Sequence, residues 1–523
     1  MRGFKRLLQT GAAVTAGLGL SVGAAVPANA EVEFTYGGYI RQYISMNLDD
    51  KPETRRDDQF TLQMLRTQVR LDVTATSGAF KVVARGRAVK EYMTEYQNWL
   101  KNPRELPAGY SGAYAHDGPA PSLLENYEGL FLRELYVDWD AVPNRLLLRL
   151  GKQQIAWGET DFFQANDLIH GFDYSWRSFL EAENEELRKP LILANAIVQV
   201  PELRGTFQGF IRPGLDRWQD IGTTYDLFGG RWANQPNKGQ DFLGSLKYEL
   251  DHPDGDKDDV TGGARWSGIA GDLSYSVMYL RTFNPDPVVS PARFLGNPKD
   301  DITPAGALGD LIYPVVDVVG GTASYYWPWL DTVLSTEVSY IWDKPYNFGR
   351  NEDISASGVP YSFFNLPSFG GVMKKDTLKF MLRGDYNLDL TKILYTQRPS
   401  FFSVQVFNTW IPDLKKSDGA VALVGYGGEL RKFQSLVTAI LNLNYMNDRI
   451  NVGLAGGFDI ASVEGFVTPS VEFVYGNNWR LKAEADIFFV NSSKAVGQVE
   501  DATQLLGYFN RNNQFLIRAQ YQF

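Results

Sequence analysis

The sequence predicts an all-β protein: a transmembrane antiparallel β-barrel of about eighteen strands, with long extracellular loops that fold partly into the lumen. Three observations predict this fold class. Apolar and polar residues alternate through most of the chain, the final strand ends on an aromatic residue, and the chain begins with a secretory signal peptide. Only alternate residues of such a barrel face lipid, which accounts for a mean hydropathy of −0.25 in a chain that is 14% aromatic.

The final strand, residues 513–523, has one apolar face. Alternate positions are apolar: Phe515, Ile517, Ala519, Tyr521 and Phe523. The residues between them are mostly polar, and successive strand residues point to opposite faces. The strand resembles the C-terminal strand by which the barrel-assembly machinery recognises outer-membrane barrels, so we expect that machinery as a partner. An edge strand of a soluble sheet is the alternative, but its exposed apolar face would promote aggregation.

The N-terminal segment has the pattern of a signal peptide. Arg2, Lys5 and Arg6 precede an apolar stretch over residues 7–26 and an A-x-A cleavage site that ends at Ala30. An N-terminal membrane anchor is the alternative, which the cleavage site disfavours. We expect residues 1–30 to be removed. Residues 31–523, which are 523 − 30 = 493 residues, would then form a single barrel domain in the cell outer membrane, in contact with its lipids.

The composition excludes several classes of function. The chain contains no cysteine, so haem attachment through C-x-x-C-H and cysteine-ligated metal sites are excluded. Its formal net charge of −10 argues against nucleic acid as a partner. The three histidines, His116, His170 and His252, lie in predicted loops and lack the spacing of a metal site. We expect no metal and no cofactor.

Period-two segments recur at about the length that a tilted strand needs to cross a bilayer. They include residues 65–75, 80–88, 378–386, 433–445, 450–459, 466–475 and 479–489. Short turns at 446–449 and 476–478 are expected on the periplasmic side. Nineteen candidate strands can be counted, but single-chain bacterial barrels have even numbers. We therefore expect about eighteen, with the error between residues 205 and 282, where the Asp251–Asp259 segment falls on the wrong side.

Long polar segments are the expected extracellular loops. They span residues 91–127, 160–189, 213–240, 283–311, 343–375 and 411–432. An eighteen-stranded barrel encloses an aqueous channel unless loops fold into it. We therefore expect one or two of these loops to constrict the lumen.

The segment from Leu132 to Gln199 is the most distinctive internal sequence. It contains a G-K-Q-x-x-x-W-G-E-x-D element and a later E-L-R-x-P element, with Asn166 and Asp173 between them. Their residues are Gly151, Lys152, Gln153, Trp157, Gly158, Glu159 and Asp161, then Glu186, Leu187, Arg188 and Pro190. The segment resembles the outer-membrane barrel family catalogued as domain of unknown function 1302 and, more distantly, porins of the alginate-export and phosphate-selective type. The resemblance implies a barrel linked with hydrophobic or other organic compounds.

Strand parity places charged residues in the lumen. If the leucines of residues 146–150 face lipid, then Arg149, Gln153 and Trp157 face inward. The same reasoning turns Glu134 and Asp138 of the preceding strand inward. The candidate channel residues are Arg66, Arg70, Arg85, Arg87, Glu134, Asp138, Arg149, Gln153, Trp157, Glu159, Asp161 and Arg188.

Two interpretations of these charges remain open. The arginines are placed to meet Glu134 and Asp138 across neighbouring strands. They form either a charged eyelet that orients solutes or an internal ion-pair network that fills the lumen and holds the loop after Asp161. The network is slightly favoured, because arginine is common in structural ion-pair networks. Trp157, at the start of this loop, would line a route for organic solutes.

Two acidic segments also have alternative interpretations. The first is the acidic run of Glu181, Glu183, Glu185 and Glu186. Its interpretations are a cation site, a solvated face or a partner of the lumen arginines, and the last two are favoured. Asp251–Asp259 has a calcium-binding composition but lacks the glycine and late glutamate of an EF-hand loop, which favours a solvated turn.

These features predict a porin-like channel for small organic solutes, including hydrophobic or anionic amphiphilic ones. One alternative is the outer-membrane part of an export machine driven by an inner-membrane transporter, with periplasmic or inner-membrane transport proteins as partners. A barrel enzyme such as a lipase or protease is another, and a Ser or Asp beside His116 or His170 would indicate it. We expect a channel and no enzyme.

Deletion of Phe523 should impair insertion into the outer membrane, because it removes the terminal aromatic residue of the assembly strand. The amount of heat-modifiable, membrane-integrated protein measures this. Wild-type amounts in the deletion variant would contradict the assembly role of the terminal strand.

Overall fold

The structure is a computed structural model. It describes residues 31–50, 55–101, 128–160, 163–173, 183–212, 246–248, 251–252, 255–256, 259–286, 288–291, 309–349, 371–423, 427–489, 506 and 513–523. The expected signal peptide, residues 1–30, therefore lies outside the described residues.

Strands dominate the described chain. They are β1 (Glu33–Asn47), β2 (Leu62–Ser77), β3 (Phe80–Tyr92), β4 (Gly129–Val142), β5 (Leu146–Gln153), β6 (Leu191–Val200), β7 (Gly205–Arg212), β8 (Leu246–Tyr248), β9 (Asp251–His252), β10 (Gly255–Asp256), β11 (Thr261–Ala270), β12 (Leu273–Phe283), β13 (Val288–Pro291), β14 (Gly309–Ile312), β15 (Val315–Trp327), β16 (Thr332–Phe348), β17 (Gly371–Leu388), β18 (Ser400–Trp410), β19 (Val421–Leu423), β20 (Gly427–Glu429), β21 (Phe433–Tyr445), β22 (Ile450–Asp459), β23 (Glu464–Tyr475), β24 (Trp479–Phe489) and β25 (Gln514–Gln522). Short helices cover Glu95–Lys101 and Asn184–Leu187, and 3₁₀ turns cover Pro201–Leu203 and Lys416–Asp418. No helix in the described chain is long and apolar enough to span a membrane.

Eighteen of these strands form one closed antiparallel sheet, as the sequence predicts. Closure is made by β1, which pairs with β2 on one side and with β25 on the other, where Ile44 lies opposite Ile517. Closing the sheet gives every barrel strand a hydrogen-bonded neighbour on both sides, which is the condition for a sheet to span lipid.

The uncertain segment between residues 205 and 282 is resolved by the pairing of β7 with β11. Asp251–Asp259 lies within the long connection between these two strands, where β9 and β10 pair only with each other. The expected error between residues 205 and 282 is confirmed: the nineteenth candidate strand was one too many, and the count of eighteen is correct.

The two faces of the wall differ in polarity. On β4, Leu135, Val137 and Trp139 are exposed on the outside, whereas Glu134 and Asp138 are buried inside. The predicted parities of β4 and β5 are therefore confirmed. Apolar side chains outside and polar side chains inside are the arrangement expected of a barrel in a bilayer.

Several short connections lie at the same end of the barrel as its first and last residues, whereas the 460–463 turn between β22 and β23 lies at the other end. Gly78, Asn144 and the Met446–Asp448 turn adopt positive φ angles that reverse the chain in a few residues. The turns predicted at 446–449 and 476–478 are confirmed. Phe523 exchanges two backbone hydrogen bonds of 3.1 Å with Gly38, so the C-terminus closes the wall at this end.

The longer connections contain more structure than the sequence indicated. Strand β16 extends to Phe348 and β17 begins at Gly371, so the predicted loop over 343–375 starts too early and ends too late. A bulge between Ile341 and Lys344 lets the pairing continue. Strand β14 pairs with both β8 and β13, so part of the predicted loop over 283–311 joins residues 246–248, beyond the predicted loop over 213–240, in one small sheet.

Replacing Leu71 with lysine should destabilise the barrel by roughly 2–4 kcal/mol if the position is near the bilayer midplane, since its side chain is 46% exposed on the outer face. Urea unfolding in lipid vesicles measures the difference. Thr74→Lys is the matched control, because Thr74 lies on the same strand with the inward parity. Equal losses in both variants would contradict the assignment of the two faces.

Candidate functional site

The connection from β5 to β6 enters the lumen, and we call its described residues, 154–160, 163–173 and 183–190, the inward loop. Strand β5 is short and ends at Gln153, whose side chain is fully buried. Its amide donates to the carbonyl of Leu193 at 3.0 Å and also contacts the carbonyls of Gly151 and Arg149. Gly151 has a φ of 125°, and a Cβ there would lie 2.3 Å from the carbonyl oxygen of Leu135. The G-K-Q element therefore ends the strand and directs the chain inward.

The first part of the inward loop packs against the wall through apolar side chains. Trp157 is 1% exposed, meets Phe210 edge-on at 5.4 Å between ring centroids and donates its Nε1–H to Gln208 at 2.9 Å. A Cβ on Gly263 would lie 2.9 Å from the indole, so the glycine makes room for it. The cluster around Trp157 contains Ile155, Leu168, Ile169, Leu191, Leu193, Met278, Leu280, Phe283, Val316, Val318 and Ile341. Trp157 is thus a packing residue, and the expectation that it lines a solute route is wrong in this structure because its ring is enclosed.

Polar contacts fix the next part of the loop to β15, β16 and β17. The carboxylate of Glu337 accepts the backbone N–H groups of Glu159 and Asn166, the latter at 3.1 Å. Asn166 donates to the carbonyl of Gly321 at 2.9 Å, and Arg383 donates to the carbonyl of Glu159 at 3.1 Å. The motif residue Glu159 therefore acts through its backbone. Asp161 lies outside the described residues.

The end of the loop is held together by a buried ion pair. Arg188 binds the carboxylate of Asp167, donates to Gln154 at 3.1 Å and lies over the ring of Phe172. Sequence reasoning placed Arg188 in the lumen without a partner. Asp167, twenty-one residues earlier, belongs to the segment where the chain departs from a regular strand pattern, so periodicity could not find it.

His170 is a structural residue of the same loop. Its Nδ1 lies 2.8 Å from the carbonyl oxygen of Lys189, and its Nε2 accepts the backbone N–H of Ile155 at 2.9 Å. Burial, followed by the nearby charge of Arg188, lowers the pKa of His170 to about 3. The imidazole is therefore neutral, with both nitrogens bonded to backbone. His116 lies outside the described residues.

The acidic run forms a short helix, Asn184–Leu187, that meets a set of wall arginines which we call the arginine cradle. The cradle comprises Arg41 on β1, Arg70 on β2, Arg85 and Arg87 on β3, and Arg518 on β25. Glu183 accepts from Arg41 at 2.8 Å and lies 3.6 Å from Arg518. Glu185 accepts from Arg85 at 2.7 Å and from Arg70 at 3.1 Å. The acidic run is therefore a partner of the lumen arginines, although Glu181 lies outside the described residues.

Glu186 is the most enclosed member of this contact. It accepts hydrogen bonds of 2.7 Å from both Arg70 and the hydroxyl of Tyr39, and it lies 3.7 Å from Arg87. Burial acts to raise the pKa of Glu186, but Arg70, Tyr39 and Arg87 outweigh it and hold the pKa at about 2. Glu186 is therefore ionised at neutral pH and anchors the helix to the wall.

Two of the predicted cross-strand contacts are present. Arg85 lies 3.2 Å from Glu134, and Arg149 binds both carboxylate oxygens of Asp138 at 2.6 and 3.0 Å. Arg66 differs, since it pairs with Glu91 at 2.8 Å and both side chains are buried. The expectation that Arg66 meets Glu134 or Asp138 is wrong, because Glu91 lies directly opposite it on β3.

Arg70 and Arg87 also differ from the expected pairing. Arg70 binds Asp72 at 2.9 Å on its own strand as well as the acidic helix. Arg87 donates to the carbonyl of Glu186 at 3.3 Å. The inward loop, rather than β4, therefore supplies the main partners of these two arginines.

Arg133 is a site residue that sequence reasoning missed. Its guanidinium donates to the carbonyls of Glu185 at 2.9 Å and Arg188 at 2.7 Å. A register shift pairs Arg85 with Glu134 but Gly86 with Leu132, so Arg133 is the extra residue of a bulge and turns inward. Leu130 and Leu132 share one parity and Leu135 and Val137 the other, but the apolar Phe131 between the first two hides this change in the sequence.

Two adjoining polar cavities remain beside the acidic helix. One, of about 370 Å³, is lined by residues that include Tyr39, Arg41, Arg70, Glu183 and Arg518. The other, of about 450 Å³, is lined by residues that include Asn442, Asn451, Glu472, Lys482 and Arg518. They share Glu472 and Arg518, so the lumen keeps a hydrophilic volume next to the arginine cradle. Among the described residues, no group of three or more His, Asp or Glu is arranged to hold a metal ion.

Comparison with known proteins assigns the chain to a family. A family model described as "Protein of unknown function (DUF1302)" matches residues 12–523. The chain belongs to the DUF1302 family. This confirms the resemblance drawn from the Leu132–Gln199 segment. No functionally curated protein matches the chain.

Several solved structures are similar to this DUF1302 barrel at low sequence identity. Acinetobacter baumannii OccAB1 is 9% identical with a TM-score of 0.47, covering 96% of this chain and 99% of that one. Pseudomonas aeruginosa OccK3 (OpdO) is 10% identical with a TM-score of 0.44, covering 94% and 95%. The outer membrane channel DcaP of A. baumannii is 10% identical with a TM-score of 0.38, covering 94% and 97%.

Replacing Glu186 with glutamine should loosen the inward loop and lower the free energy of unfolding by roughly 1–3 kcal/mol, because charged hydrogen bonds to Arg70 and Tyr39 are weakened. Trypsin cleavage after Arg188, which is buried in the wild type, reports the loosening. Glu202→Gln is the control, since Glu202 forms an exposed ion pair with Arg145.

The same contact has a defined pH dependence. The pKa of Glu186 is lowered from 4.5 to about 2 in the folded protein, so its stabilisation is complete above pH 4.5 and is lost as the pH falls towards 2. Protection of the backbone N–H of Arg188, which donates to the carbonyl of Asn184, against hydrogen exchange should follow that range in the wild type. Protection that stays constant down to pH 2 in the wild type would contradict the anchoring role of Glu186.

Proposed function

We propose that this DUF1302 barrel is a porin-like channel of the outer membrane that lets small organic solutes cross passively. The observation that carries the proposal is the polar volume left inside the closed wall, beside the inward loop and the arginine cradle. A wide barrel with a loop folded across it and polar cavities beside the loop is suited to restricted diffusion.

The cavities support polar and anionic solutes more than apolar ones. The first cavity is lined by equal numbers of basic and acidic side chains, and its arginines include Arg41, Arg70 and Arg518. In the second cavity, Arg398, Lys482 and Arg518 outnumber the single acid Glu472. The one aromatic residue that the sequence suggested for an apolar route, Trp157, is enclosed in the packing of the loop. Small organic anions are therefore the solute class that the lumen fits best.

The arginines serve both interpretations that the sequence left open. Each cradle arginine contacts a carboxylate of the chain, which supports an ion-pair network that holds the loop. Arg70 and Arg85 keep 17% and 29% of their side chains exposed, which supports a further role in the field that solutes meet. The same arginines therefore form the ion-pair network and contribute to the charged eyelet.

The geometry does not favour an enzyme. His170 uses both ring nitrogens in contacts with backbone groups, so it is not available as a general base beside a serine or an aspartate. We accordingly propose no catalytic residue.

The proposal predicts that the purified protein conducts ions in a planar lipid bilayer, with a reversal potential on the anion-selective side in a KCl gradient. Arg85→Ala/Arg87→Ala should shift that potential towards cation selectivity, because two positive charges leave the lumen while Glu134 and Glu186 remain.

Arg145→Ala is the matched control, because Arg145 lies in an exposed pair on a short turn and its loss should leave the reversal potential unchanged. Absence of any conductance in the folded wild type would overturn the channel proposal. If the double variant keeps wild-type selectivity and loses thermal stability, the two arginines act in the structural network alone.

A further inference from the structure

The carboxylates in the arginine cradle differ in their exposure. The side chain of Glu186 is 9% exposed, whereas those of Glu183 and Glu185 are 38% and 51% exposed. Exposed ion pairs are weak and exchange readily with other partners in water. The cradle thus holds one enclosed anchor and two carboxylates that solvent reaches.

Glu183 shows which chemical group the cradle accepts. The Nη2 of Arg41 contacts both carboxylate oxygens, at 3.0 and 2.8 Å. Arg41 lies 3.9 Å from the ring centroid of Tyr39, and its Nε donates to the side chain of Gln520. These contacts hold the guanidinium in place before any solute arrives, which favours recognition of a planar carboxylate.

A solute has room to reach the same arginines. The cavity of about 370 Å³ is lined by Arg41, Arg70 and Arg518 together with Glu183 and Glu186. The cavity is also lined by Asp72, Glu472 and Arg480 and by the amides of Gln520 and Gln522. A small organic molecule in this volume would meet Arg41, Arg70 and Arg518, which now bind Glu183 and Glu185.

We propose that the arginine cradle is a binding site for small organic dicarboxylates, and that Glu183 and Glu185 are internal competitors that such a solute displaces. The inference rests on the proposed channel function and names its solute class. Two carboxylates are expected because two exposed glutamates occupy two separate arginine pairs, Arg41 with Arg518 and Arg70 with Arg85.

Displacement need not release the loop. Glu186 stays bound to Arg70, Arg87 and Tyr39, and Trp157 stays packed against the wall. The exchange replaces the four ion pairs of the two glutamates by ion pairs of the same kind with the solute, so binding is reversible and the site saturates. Competition by the glutamates keeps the affinity low, which a channel needs if the solute is to leave.

Calorimetric titration of succinate into the detergent-solubilised barrel tests the site without requiring conduction. Glu183→Gln/Glu185→Gln should bind succinate about fivefold more tightly than the wild type, because the competitors lose their charge and the arginines remain. Arg41→Gln/Arg518→Gln should lose measurable binding. Glu202→Gln removes a glutamate charge at the exposed Arg145 pair and should bind as the wild type does.

Acetate and inorganic phosphate are the comparison anions. Succinate should bind more tightly than acetate, since acetate fills one arginine pair, and more tightly than phosphate, which cannot span two. Equal affinity of the wild type and the glutamine double variant for succinate, with both heat-modifiable and folded, would overturn the competitor role. Undiminished succinate binding in the arginine double variant would overturn the site itself.

The bilayer measurement separates this inference from the channel proposal. A wild type that conducts KCl but shows no succinate binding refutes the cradle as a dicarboxylate site and leaves the channel standing. A wild type that binds succinate as described but conducts nothing refutes the channel and leaves the site standing.

Discussion

The inward course of the connection between β5 and β6 is the constraint on which the rest of the lumen depends. An eighteen-stranded wall alone would enclose a wide pore. Because β5 ends at Gln153, the chain turns into that space and divides it. The cavities, the arginine cradle and the buried apolar cluster all take their shape from this one connection.

Two kinds of interaction hold the inward loop on opposite sides of the lumen. Apolar packing around Trp157 and backbone contacts to Glu337 fix it to the side formed by β6, β7, β12 and β15–β17. Ion pairs to the cradle fix it to the side formed by β25 and β1–β3. The first kind excludes water, whereas the second stays partly hydrated. We infer that the apolar contacts of the loop persist, whereas its ion pairs with the cradle exchange with other partners.

The alternation of apolar and polar residues was sufficient to predict the strands of the wall, but it was insufficient to predict the contacts of the inward loop. Parity gives the faces of β4 and β5, and neighbouring strands bring Arg149 to Asp138, so these features could be predicted. The contacts of Glu183 and Glu186 join residues more than a hundred positions apart, which no periodicity encodes. Trp157 was placed on the correct face, but its burial depends on how the loop folds back over it. The bulge at Arg133 was not readable either, because Phe131 obscures the change of parity between Leu132 and Leu135.

Cross-linking between the loop and the far wall tests the inward course most directly. The chain has no cysteine, so the variant Ala165→Cys/Ser339→Cys contains a single pair of thiols. The two positions are in contact, because the Ser339 hydroxyl donates to the Ala165 carbonyl at 2.8 Å. We predict near-complete linkage by a short thiol reagent in native membranes, matching the wall pair Ser324→Cys/Ser335→Cys, whose hydroxyls lie 2.9 Å apart. Linkage of the wall pair without linkage of the loop pair would contradict the account.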